Sequence, residues 1–157
     1  MTRDTLRMLE AEAAGWRDLE QALGRIPPDA FETVGLTPGG WSAKVALYHV
    51  GAWMDDCGKQ LEAMSAGTFE VRIDTVPWVD EQNRRQFERS RGIPAVDVRA
   101  FADRARERMR AALHGLPTLT SDAVEWFEES GALHYGKHAR DLRGWADLLH
   151  SQACNRP

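Results

Sequence analysis

Apolar side chains return every three or four residues along most of this sequence, a period that commits the chain to amphipathic helices. The first run, Leu6, Leu9, Ala13, Trp16, Leu19 and Leu23, predicts a helix from about Asp4 to Gly24. Pro27-Pro28 stops it, because proline cannot donate within a helix. The stretch RIPPDAFETVGLTPGGW has no sustained period and reads as a connection. Ser42 then fits an N-cap, whose hydroxyl accepts from a free N–H of the first turn. Helix two follows as SAKVALYHVGAWMDDCGKQLEAM, with Val45, His49, Ala52, Trp53, Gln60, Leu61 and Met64 near one face.

SAGTFEVRIDTVP breaks the pattern, and the alternation Phe69, Val71, Ile73 is too brief to found a sheet. A shorter helix is expected from Pro77 to about Arg89. Helix three begins at Pro94 and carries Val98, Phe101, Ala102, Ala105, Met109, Ala112 and Leu113, until Leu116-Pro117 closes it. Trp126 and Phe127 fall in a connection. Ser130 offers the cap of helix four, which runs to about His150 with Leu133, Leu142, Trp145, Leu148 and Leu149 inward. The expectation is an all-α protein, one domain over residues 1–157. It is a four-helix bundle with a long crossover between helices two and three that carries the short extra helix.

A chain of 157 residues can bury a full core without disulfides or a structural metal, so a metal would serve function. Its 20 basic residues are outnumbered by 24 acidic ones, which leaves no electrostatic footprint for nucleic acid or an anionic membrane. Arg99, Arg104, Arg106, Arg108 and Arg110 are interleaved with Asp103 and Glu107 and read as a solvated helix face. Cys57 and Cys154 form no CxxC pair, and a reducing cytoplasm is the simplest home. No leader opens the chain, and no apolar run nears the roughly 18 residues that span a bilayer. The expected partner is a small molecule, with neither nucleic acid nor membrane; a homodimer is an assembly this reading admits.

ALHYGKHARD places His134 and His138 four residues apart. On a helix they differ by about 40° and about 6 Å of rise, so both imidazoles can reach one ion. The metalloprotease pattern needs Glu directly after the first histidine, where this chain has Tyr135. The Glu-x-x-His pairs of di-iron bundles are missing too, since Gly131 and Tyr135 stand at those places. His49 interrupts the apolar stripe of helix two, where an unsatisfied imidazole is costly to bury. If helices two and four ran parallel from Ser42 and Ser130, His49 would lie level with the pair. The alternative is a hydrogen-bonded core His49 with the other two half exposed. His114 and His150 sit at helix ends, where a cation favours the terminal carbonyls.

GWSAKVALYHVGAW and LHYGKHARDLRGW resemble helices two and four of the DinB-like family. VDEQNRRQF is similar to the Asp-x-x-Asn segment of one of its branches. The family comprises four-helix bundles that include thiol-dependent S-transferases and uncharacterised metalloenzymes. By position, the resemblance implies that His49, His134 and His138 are metal ligands and that helices two and four are adjacent. Members that isomerise maleylpyruvate usually carry a further C-terminal domain, so that reaction is not expected.

Three neutral imidazoles leave coordination positions open on Zn²⁺ or Ni²⁺, the two divalent metals expected. A bound water or thiol then ionises near neutral pH. Asp141 shares the helix face of the pair and is a candidate base or hydrogen-bond acceptor, against a plain solvated carboxylate. Asn83 occupies an apolar place in the stripe Val79, Asn83, Phe87, so it either lines the substrate cavity or bonds backbone. Trp53 is placed near the metal, Trp78 and Trp145 in the core, and Cys57 in the core rather than among the ligands. Three functions follow: a metal-dependent enzyme that passes a low-molecular-weight thiol, mycothiol or bacillithiol, to an electrophile; a metal-dependent hydrolase or self-resistance protein; and a non-catalytic small-molecule-binding stress protein.

Overall fold

The helical periods of the sequence are realised in the computed structural model, which describes residues 2–154; the extreme ends of the expected 1–157 domain lie outside the described residues. The protein is all-α, with six α-helices and a short 3-10 turn at Pro28–Ala30 among the described residues. The helices are α1 (Arg3–Gly24), α2 (Ala43–Ala66), α3 (Val76–Arg91), α4 (Ala95–His114), α5 (Ser121–Ser130) and α6 (Ala132–Cys154). Ser42 caps α2 as expected, its hydroxyl accepting from Val45 N–H, and Thr2 and Thr120 do the same for α1 and α5. Phe69, Val71 and Ile73 lie in irregular chain, not a strand.

Interhelical pairs give the directions. Tyr48 stacks on Phe101, while a Cβ on Gly51 would meet Ala102 and one on Gly58 would meet Met109, so α2 and α4 are parallel. Glu20 pairs with Arg99 and Glu12 with Arg106, so α1 and α4 are antiparallel. Trp16 meets Tyr135 and Arg25 meets Asp147, so α1 and α6 run together. His49 lies against His138, Met54 against Tyr135 and Cys57 against Trp126, so α2 descends as α5 and α6 ascend. The expected parallel arrangement of helices two and four is therefore wrong. The long crossover through α3 returns the chain to the starting end and makes α2 parallel to α4 instead, whereas the short link after His114 forces a reversal.

The expected fourth helix is α6, and the stretch expected to be a connection before it is a helix of its own, α5. Ala123 and Phe127 are buried in α5, a helix too short for its period to stand out in sequence. Ser130 ends α5 rather than capping α6, and the break falls at Gly131, where a Cβ would lie 2.7 Å from Phe127 O. Leu133 and Leu148, expected inward, are 58% and 56% exposed. The arginines of α4 are not simply a solvated face: Arg106 and Arg110 pair with the buried Glu12 of α1, and Arg108 with Asp55 and Glu62 of α2. Cys57 is a buried free cysteine of the core, as expected.

Candidate metal centre

Three histidine nitrogens converge where α2 crosses the first turns of α6. His134 Nε2 lies 3.0 Å from His49 Nε2 and 3.0 Å from His138 Nε2. One ligand atom from each histidine fits within a 4.8 Å span. The three rings stand at 68° to 77° to one another, so their edges rather than their faces meet. Nitrogens on a tetrahedral ion at about 2.0–2.1 Å sit roughly 3.3 Å apart, so small ring rotations bring these atoms to ligand positions. The break at Gly131 sets this geometry, because it lets α6 start afresh with His134 in its opening turn and His138 one turn on.

Neighbouring side chains fix how the rings face. Gln86 Oε1 of α3 lies 2.7 Å from His49 Nδ1. An amide oxygen only accepts, so Nδ1 carries the hydrogen and Nε2 turns a lone pair toward the other two histidines. The Trp41 indole stacks on His138, 6.3 Å between centroids and 11° between planes, and leans on His49 at 4.8 Å. Trp41 is delivered by a tight loop in which Gly35 and Leu36 N–H both donate to Trp41 O. Trp53 flanks His49 at 6.4 Å, and its Nε1 donates to Asn83 Oδ1 at 3.3 Å.

Burial holds all three imidazoles neutral. It pushes His49 down to about 3, aided by the charges of His138 and Lys137 and opposed by the Gln86 hydrogen bond. His138 falls to about 4 through burial, opposed by the Asp141 carboxylate. His134 is lowered by burial and by its two histidine neighbours. Neutral, convergent imidazoles are the donor set a divalent ion requires.

A cavity of about 570 Å³ opens beside the cluster, with His49, His134, Trp53 and Asn83 in its wall. That is the size of an ordinary small-molecule site. Asn83 thus both faces the cavity and bonds a side chain, the Trp53 indole, instead of backbone. Asp141 is exposed and outside the cavity wall, acting on His138 through its charge. His114 and His150 are exposed and remote from the cluster. Burial pushes the Cys57 thiol up to about 12, and its Sγ points at Trp126 O.

Sequence reasoning missed Gln86, Arg72, Trp126 and Lys137, all of which meet the histidines or line their cavity. Gln86 follows Asn83 by one helical turn, a usable signal; Trp126 was hidden by reading α5 as a connection. No protein-family model, curated protein or solved structure matches the chain. No helix among the described residues is long and apolar enough to cross a membrane.

Proposed function

We propose that this chain is a metal-dependent enzyme of the DinB-like kind, a four-helix bundle walled by α1, α2, α4 and the α5–α6 pair. It transfers a low-molecular-weight thiol, mycothiol or bacillithiol, to an electrophilic small molecule in detoxification or stress. The observation that carries this reading is the convergence of three neutral imidazoles, one fixed by Gln86, on the wall of a small-molecule-sized cavity. His49, His134 and His138 would hold zinc or nickel. A divalent ion there supplies Lewis acidity, lowering the pKa of a ligated thiol or water near neutral pH.

The chain's own residues do the rest. Trp41 and Gln86 keep the imidazoles oriented, and Trp53 with Asn83 forms the wall against which an electrophile is positioned. Cys57 supplies no nucleophile, because its thiol is buried and held protonated, so the attacking sulfur comes from outside. Elemental analysis of the purified protein should find one zinc or nickel per chain, absent in His134→Ala. Metal-loaded protein should accelerate conjugation of a generic electrophile by one thiol, and chelation or His49→Ala should abolish the rate. Full metal retention by His134→Ala would sink the site, and turnover sustained by water alone would replace transfer with hydrolysis.

A further inference from the structure

The outer wall of the histidine cavity is the irregular segment 67–75, between α2 and α3. Its backbone scarcely touches the body: Gly67 and Thr68 N–H close the last turn of α2, and beyond them Thr75 N–H bonds Ile73 O within the segment itself. Val71 and Ile73 do not anchor it, being 76% and 82% exposed. Arg72 does. Its guanidinium donates to Asp56 Oδ2 of α2 at 2.7 Å and to Asp74 Oδ1 at 2.6 Å. It also lies over the Trp78 ring of α3 at 4.3 Å and the Trp126 ring of α5 at 4.8 Å. One side chain therefore ties the segment to three helices, while Phe69, Val71, Arg72 and Asp74 face the same cavity as His49 and His134.

We infer that segment 67–75 is a lid over the histidine cavity and that Arg72 is its latch. Closing requires no backbone pairing, so the barrier to opening is the loss of the Asp56 pair and the two indole contacts. Each is a partly exposed interaction of modest strength. Arg72 is a positioning residue: it governs entry to the histidines without touching them. Lysine cannot replace it, because an ammonium offers neither the planar fork for Asp56 nor a flat face for two indoles.

The test uses metal-free protein, so it stands apart from the proposed chemistry. Diethyl pyrocarbonate acylates neutral imidazole, and mass spectrometry reads each histidine separately. Arg72→Ala should raise the rate at His134 by roughly tenfold, the effect of losing a charge-assisted latch. The exposed His114 and His150 should keep their rates. Arg72→Lys and Asp56→Asn, the latter changing only the docking side, should each give an intermediate rise. Alkylation of buried Cys57 reports global unfolding and should stay slow in all three variants. An unchanged ratio of His134 to His150 rates in Arg72→Ala and Asp56→Asn overturns the lid, as does a rise at Cys57 that keeps pace with His134.

Discussion

Gln86 on α3 and His49 on α2 meet at 2.7 Å, oxygen to Nδ1, and this contact selects which edge of the imidazole faces the cluster. It makes the crossover helix part of the centre and not mere packing. Outer partners of this kind typically contribute 10- to 100-fold to metal affinity. Gln86→Leu should therefore weaken zinc binding by roughly that factor, since His49 can then adopt the wrong tautomer. Competition titration against a chromophoric chelator reads the change. An affinity equal to that of the unsubstituted protein would reduce Gln86 to a packing residue.

Glu12 is 1% exposed, and its carboxylate takes Arg106 Nε at 2.7 Å, Arg110 and the Tyr135 hydroxyl at 3.1 Å. It ties α1 to α4 and α6 one residue from His134. Removing one member of a buried charged set strands the others, so Glu12→Ala should cost about 3 kcal/mol. Glu12→Gln, which keeps an acceptor oxygen, should cost about 1–2 kcal/mol. Urea unfolding monitored by circular dichroism measures both. Equal losses for the two variants would show that shape rather than charge holds the three helices.

The all-α class, the Ser42 cap and the histidine trio were legible because each rests on local spacing: apolar periods, a hydroxyl before a helix, an i,i+4 pair. His49 was singled out by a polar interruption of an apolar stripe. Helix direction was not legible, since it depends on which connection spans the molecule; matched depth on parallel helices singled out three histidines that the structure brings together on antiparallel ones. The antiparallel α2 and α6 meet because Gly131 breaks the last column and starts α6 opposite the middle of α2, where Tyr135 meets Met54, so that His138 reaches back to His49. Gln86, Arg72 and Trp126 act across helices; Gln86 had a faint local mark in its place one turn after Asn83, whereas nothing near Arg72 or Trp126 marks them. Glu12 was invisible for the same reason, as its partners lie 94 and 98 residues away.

Gly35 has φ +134°, and a Cβ there would stand 2.7 Å from the Trp145 ring. The position is strained for any L side chain and closed by an indole besides. Gly35→Ala should cost about 1–3 kcal/mol and lower Tm by about 5 °C. Because Gly35 N–H helps hold Trp41 O, the same change should disturb the Trp41 stack on His138 and loosen metal binding. Differential scanning calorimetry and metal titration separate the two effects. A Tm unchanged within a degree would mean that the loop relaxes freely.

The pH dependence of the metal-free protein follows from the same burial that readies the ligands. An unfolded histidine titrates near pH ~6.5, whereas His49 and His138 titrate at about 3 and about 4 in the fold, and His134 is lowered too. Above the unfolded value neither state binds the protons, and stability is at its full level. As pH falls below ~6.5 the unfolded chain takes up protons that the fold refuses, so stability drops by at most about 1.4 kcal/mol per pH unit for each histidine. The loss continues until the folded values are reached. Urea midpoints of metal-free protein should therefore fall between pH 6.5 and 4.5, and the double variant His134→Ala, His138→Ala should show a shallower slope. An ion held by the neutral imidazoles would favour the fold over the unfolded chain, so zinc-loaded protein should keep a higher midpoint than metal-free protein wherever the ion stays bound. A midpoint flat from pH 7 to 5 without metal would mean that the folded cluster already carries protons, and the centre would then be a weak ligand set.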